Sequence, residues 1–254
     1  MRFYKPAFLL GFSFLVFSCK TGHHFAKIEG ERIAIDTSLD ANSEISNFIK
    51  PYKDHLNEVL DSTLAYNPVN LSKDEGDLNT ALGNLMADIV MEKANPVFKE
   101  RTGRNIDAVL LNYGGIRSTL NKGKVTARSA YALMPFENEI VVAKLSGSKV
   151  QELLQYLEDA GTAHPVSGLH IEMNDNYKIT EATINGEPID THTSYYIATS
   201  DYLQQGGDNM VFFKDPQELY QVNYKLRNAI IDYFTEVDTV KAKVDNRFIR
   251  VEEL

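Results

Sequence analysis

Apolar positions along this chain switch between helical spacing and strict alternation, and each stretch predicts an element. Ile45, Phe48, Ile49, Leu56, Val59 and Leu60 lie at helical spacing within residues 40–64, interrupted at Pro51, whose ring removes a backbone donor. Residues 78–93 repeat that spacing, with Asn79 or Thr80 as the N-cap, since either side-chain oxygen can accept from an open first-turn amide. Residues 32–36 alternate like a short strand, and residues 108–112 read as a buried strand running into a Gly-Gly turn. A short helix over 127–133 stops ahead of Pro135, and residues 140–145 form a β-branched strand. Residues 147–158 place Val150, Leu153, Leu154 and Leu157 on one helical face. Strands follow at 169–173, 179–184 and 195–199, with Asn185-Gly186 as a hairpin turn. A last helix is expected over 220–234 from Leu226, Ile230 and Phe234. The order predicts a mixed α/β (α+β) fold, with helices covering mixed sheets behind a short N-terminal helical extension.

The N-terminus changes that picture. Arg2 and Lys5 precede an apolar run over 7–17 that is too short to cross a bilayer as a helix and reads as an export signal. It stops at Val16-Phe-Ser-Cys19, which resembles the lipobox of bacterial lipoproteins, where the cysteine is acylated and becomes the mature N-terminus. Ser18 fits the small residue wanted there, and Phe17 is a bulky departure. Cys19 is the sole cysteine, so no disulfide competes for it. The expected layout is a signal peptide over 1–18, a tether over 19–30, a helical extension over 31–70 and the main domain over 71–254. The expected location is that of an exported bacterial lipoprotein, anchored on a periplasmic face or the cell surface.

Charge narrows the partners. The formal charge is −9, or −11 without the first eighteen residues, and no run of Lys or Arg appears. This excludes the basic footprint of a DNA- or RNA-binding surface, but a small anionic ligand needs only one arginine in a pocket.

Two stretches carry the chemistry. Asn112-Tyr-Gly-Gly-Ile-Arg117 and Asp201-Tyr-Leu-Gln-Gln-Gly-Gly-Asp208 each put a glycine pair beside polar or charged side chains, directly after an apolar run. Together with Ala81-Leu-Gly-Asn-Leu85, Met134-Pro-Phe136 and Val166-Ser-Gly-Leu-His170, they resemble the C-terminal, substrate-binding domain of the 5′-nucleotidase family from about residue 71 to 213. The resemblance implies that Phe136 and Tyr202 clamp a base, with Tyr202 standing where many members have Phe. It also implies that Asp208 accepts from the ribose hydroxyls, and that Asn112 and Arg117 hold the nucleoside and its phosphate side. Gly114, Gly115 and Gly168 are then positions of close backbone approach, whereas Gly83-Asn84 belongs to helix packing. These residue types suit such a ligand: aromatic faces stack on bases, an ionised carboxylate accepts two hydroxyls, and a guanidinium fork fits phosphate oxygens.

Two departures qualify the resemblance. Relatives carry a phosphate-binding arginine where this chain has Gly76, inside the acidic segment Asp74-Glu-Gly-Asp77, with Lys73 as the nearest cation. Relatives also hydrolyse phosphate esters with a two-metal centre in a separate N-terminal domain, whose ligand motifs are missing here. Asp190-Thr-His192 matches one of them in letters only, and His23, His24, His55, His164 and His170 lack partners at ligand spacing. No metal or catalytic residue is therefore expected in this chain, and a divalent metal pair is expected only in a partner. The expected function is the nucleotide-binding, substrate-specificity half of a split nucleotide hydrolase. It would work with a separate metallophosphatase chain, without activity of its own. The alternatives are a non-catalytic nucleotide- or nucleoside-binding surface lipoprotein, or an interaction module with a decayed site.

Overall fold

A computed structural model describes residue 27, residues 29–36 and residues 38–251. The export signal, Cys19 and His23-His24 lie outside the described residues. The chain divides into two units, residues 1–49 and 50–254. In the first, residues 32–36 are exposed and form no strand; an alternating pattern needs a partner strand for its backbone groups, and none pairs with this segment among the described residues. Helix α1 (Ser43–Asp61) runs through Pro51 rather than breaking there. Its residues around Pro51 are exposed, so the carbonyl that loses its helical donor is open to water.

In the second unit β1 (Thr63–Asn67) pairs antiparallel with β3 (Gly123–Thr126). The centre is a five-stranded mixed sheet in the order β10 (Glu218–Lys225), β4 (Glu139–Ser146), β9 (Ser194–Ser200), β2 (Ala108–Leu110) and β5 (Val166–Ser167). Alternation along its strands feeds two cores, one on each face. Val109, Ile140, Val142, Tyr196 and Ala198 pack into the first, against α2 (Ala81–Thr102) and α6 (Leu226–Glu236). Ala108, Leu110, Ala143, Leu145 and Ile197 enter the second, with Val150, Leu153 and Leu157 of α4 (Gly147–Ala160). That second core also takes Phe212, Phe213 and the inner residues of a four-stranded sheet. The order of this sheet is β11 (Phe248–Arg250), β6 (Leu169–Met173), β7 (Ile179–Ile184) and β8 (Glu187–Pro188).

Two boundaries differ from expectation. The second helix starts at Ala81, with the Thr80 hydroxyl accepting from the Gly83 amide at 3.0 Å, and it continues through Pro96 to a left-handed Gly103. The last helix starts at Leu226, because residues 218–225 pair with β4 instead. Tyr220, Val222 and Tyr224 recur at a period of two and face the first core, which favours an edge strand over another helical turn. Asn84 donates to Asn79 Oδ1 at 2.7 Å and to the Lys243 carbonyl at 3.0 Å, so Gly83-Asn84 serves packing.

Candidate functional site

Strands β2 and β9 are parallel neighbours, paired Ala108 with Ile197 and Val109 with Ala198. Both glycine motifs therefore leave the sheet at the same end, side by side, where strand carboxyl ends leave an open crevice. The buried Thr199 hydroxyl donates to the Leu110 carbonyl at 2.8 Å and ties the two strands together just before they turn. A cavity of about 300 Å³ opens there, lined by Asn112, Gly114, Gly115, Arg117, Phe136, Asn138, Tyr202 and Asp208.

The first turn is a single 3₁₀ turn, Tyr113–Gly115. Its geometry leaves no room for a side chain at Gly115, where a Cβ would sit 2.6 Å from Asn112 Oδ1. A Cβ at Gly114 would reach Asp208 Oδ2 at 3.4 Å, an ordinary contact. The Arg117 amide donates to the Leu133 carbonyl at 2.9 Å. Its guanidinium donates to the Gly114 carbonyl at 3.2 Å and leaves its other donors to the cavity.

The second turn follows a short helix, α5 (Asp201–Gln204), capped by the Ser200 hydroxyl. Asp208 and Asn209 both adopt left-handed backbone angles, φ 50° and 62°, at a cost of about 1 kcal/mol each for a residue with a Cβ. Two tyrosines hold this conformation. Tyr156 donates its hydroxyl to the Asp208 carbonyl at 3.0 Å, and the Asp208 amide donates to the Tyr202 hydroxyl oxygen at 3.3 Å. The carboxylate is engaged on both oxygens: Tyr202 donates to Oδ1 at 2.8 Å and Asn112 to Oδ2 at 2.6 Å. The hydrogen bond to Asp208 raises the pKa of the Tyr202 hydroxyl and keeps it a donor. Asp208 has lone pairs left for further donors, because a carboxylate offers about four acceptor sites.

Phe136 and Tyr202 are 41% and 46% exposed, so apolar ring surface stands open at the cavity. The loop bearing Phe136 is anchored by Arg227, which is only 4% exposed. Its guanidinium donates to the Phe136 carbonyl at 3.0 Å, pairs with Glu137 and stacks over Tyr131 at 4.2 Å. Lys225 first and Arg227 second hold the Glu137 carboxyl down at about 2.

Seven of the residues singled out in the sequence thus meet at one cavity. Gly168 lies elsewhere, in the β5–β6 link, with φ +73° and no room for a Cβ against the Asp107 carbonyl oxygen; its close approach is to protein backbone. A side chain at Gly76 would collide with the Asn79 carbonyl, which accounts for a glycine there. Lys73 sits over the Tyr113 ring at 4.2 Å, and Tyr113 donates its hydroxyl to Asp74, so the 73–74 segment braces the first turn. Asp190 Oδ1 accepts from the His192 amide at 2.8 Å in a local turn. No three His, Cys, Asp or Glu side chains converge as metal ligands among the described residues. Sequence reasoning missed Asn138 and Arg227. Arg227 was detectable, because it shares the inward face of α6 with Ile230 and Phe234, where a cation needs a buried partner.

Known proteins resemble this chain in sequence and fold. The chain is 29% identical over 243 residues to the "Trifunctional nucleotide phosphoesterase protein YfkN" of Bacillus subtilis (strain 168), a match covering 86% of this chain and 16% of that protein. It is 25% identical over 190 residues to a "5′-nucleotidase" of Vibrio vulnificus (strain CMCP6), covering 71% of this chain and 32% of the relative. The crystal structure of a 5′-nucleotidase precursor from Thermus thermophilus superposes with a TM-score of 0.68 at 23% identity, over 82% of this chain and 43% of that one. The chain therefore spans less than half the length of these relatives. The sequence pattern of "5′-nucleotidase, C-terminal domain" matches residues 59–215, and the chain belongs to that family.

Proposed function

We propose that the cavity binds a nucleotide or nucleoside, and that this chain is the substrate-specificity half of a split nucleotide hydrolase. The observation that carries the reading is the convergence of an aromatic pair, an amide, a guanidinium and a carboxylate on one cavity. In this reading Phe136 and Tyr202 stack on the base and Asp208 accepts the ribose hydroxyls. Asn112 orients Asp208 and the sugar, and Arg117 takes the phosphate side. Asn138, two residues after Phe136, also lines the cavity and would meet the base edge.

Hydrolysis needs a water activated beside the phosphorus, and none of the lining groups is arranged as a metal site or a nucleophile–base pair. A separate metallophosphatase would supply the metals and cover the open ring surfaces of Phe136 and Tyr202. Acylation at Cys19 would hold the pair at a membrane outside the cytoplasm. The test is reconstitution. The full chain should release no phosphate from AMP alone, and should raise the rate or narrow the substrate range of a lone metallophosphatase from the same cell. A metallophosphatase whose rate and substrate range are indifferent to the chain removes the split-enzyme reading and leaves nucleotide capture.

A further inference from the structure

His164 lies behind both turns, in the link between α4 and β5, and is 8% exposed. Its Nδ1 meets main-chain groups of Leu111 and Tyr113, neither of which lines the cavity. Its Nδ1 is 3.2 Å from the Tyr113 amide nitrogen and 3.4 Å from the Leu111 carbonyl oxygen. One ring nitrogen therefore faces a donor and an acceptor, and its protonation decides which it engages. In the neutral ring that carries its proton on Nε2, Nδ1 accepts from the Tyr113 amide and fixes the start of the Tyr113–Gly115 turn. With a proton on Nδ1, that N–H turns to Leu111 and the Tyr113 amide faces a second donor.

The ring also reaches the other turn. It packs against Tyr156 at 5.5 Å, and the Tyr156 hydroxyl donates to the Asp208 carbonyl. The titratable groups facing it are Tyr156 from α4 and Asp208 from the second turn. Asp208 is itself held by Asn112 and Tyr202, and Tyr113 carries Asp74 on its hydroxyl and Lys73 over its ring.

We propose that His164 is a positioning residue whose neutral form sets the first turn, so that nucleoside affinity is lost when the ring is protonated. Burial pushes the imidazole below its ordinary value of 6.5, against smaller opposing pulls from the Leu111 carbonyl and Asp208. The neutral ring, and the turn it anchors, are fully present above 6.5 and are lost as pH falls through the lowered value in the folded protein.

The statement about affinity rests on the nucleotide reading, whereas the coupling between ring and turn does not. The test therefore has a ligand-free arm. In the full chain, nuclear magnetic resonance follows the His164 ring and the Tyr113 amide as pH is lowered from about 8 to about 4. The expected result is a Tyr113 amide shift with the same midpoint as the ring. His164→Asn places a carboxamide oxygen near the Nδ1 position and cannot be protonated, so the Tyr113 amide should then stay in its high-pH position. Adenosine is the binding probe because it carries no phosphate that titrates in this range. Its affinity for the wild type should fall about tenfold across the transition, the worth of one lost hydrogen bond, and should stay flat in His164→Asn.

A Tyr113 amide that ignores the His164 titration overturns the proposal, as does the wild-type midpoint surviving in His164→Asn. Intact coupling with no adenosine binding at any pH refutes the nucleoside reading and leaves the histidine as the switch of the turn.

Discussion

The 112–117 turn is fixed from behind by main chain and buried neighbours, whereas the 201–208 turn is fixed by side-chain hydroxyls at an exposed rim. In the first, Gly115 is buried, its amide donates to the Asn112 carbonyl, and Tyr113 leans on His164. In the second, Asp208 and Asn209 hold left-handed angles supported by Tyr156 and Tyr202. Residues kept in uncommon backbone regions gather where geometry is needed for function. One turn is thus a frame braced by main chain and the other a rim braced by hydroxyls, joined by the bond from Asn112 to Asp208. Both start from parallel neighbours in one sheet, so residues 96 positions apart meet without a long connection.

Substitutions can break that contrast. Asp208→Ala removes the carboxylate that the proposed function sets on the ribose and should weaken adenosine and AMP alike by about a hundredfold or more, since hydrogen bonds to a charged group contribute about 1.5–3 kcal/mol each. An equal loss for 2′,3′-dideoxyadenosine would show that the carboxylate does not read the diol. Phe136→Ala should cost about 30-fold for both ligands, in line with about 1–3 kcal/mol per stacked base; a loss confined to AMP would move Phe136 to the phosphate side. Arg117→Ala should cost about tenfold for AMP and leave adenosine nearly unchanged, because only the nucleotide offers the guanidinium a charged partner. Smallest of all is Tyr202→Phe, which keeps the ring face and removes one donor to Asp208. It should change affinity by no more than about threefold, while Tyr202→Ala behaves like Phe136→Ala. Equal losses in the two Tyr202 variants would make the hydroxyl, rather than the ring, the working part.

A pH control sharpens the comparison. Glu137 is held at about 2 by Lys225 and Arg227, so its share in anchoring the Phe136 loop is complete above 4.5 and fades only as pH falls toward about 2. The ratio of wild-type to Phe136→Ala affinity should therefore stay constant between about pH 8 and 5. A ratio that collapses in that window means the loop depends on some other titrating group.

Much of the cavity lining was legible in the sequence because its residues sit in short motifs that together resemble one family, whereas a Gly-Gly-Asp turn taken alone is common. Gly168 shows the limit: a glycine in a matching motif can serve a protein backbone as well as a ligand, and letters do not distinguish them. Arg227 and His164 were harder to read, since their roles depend on carbonyls and amides contributed by distant segments. The fold was legible where periodicity persisted over a whole element, as in α4. It blurred at 218–225, where the alternation of Tyr220, Val222 and Tyr224 runs directly into the helical spacing of α6. Residues 32–36 alternate without a partner strand among the described residues, and alternation without pairing is not a strand.

The proposed site at the joined ends of β2 and β9 is a nucleoside site read by Asp208. It is tested most directly by calorimetric titration of the full chain, wild type against Asp208→Ala, with adenosine and AMP. Micromolar binding of both ligands to the wild type is expected, tighter for AMP, with its loss in the variant. Absence of binding to the wild type, or equal binding by the variant, would contradict it.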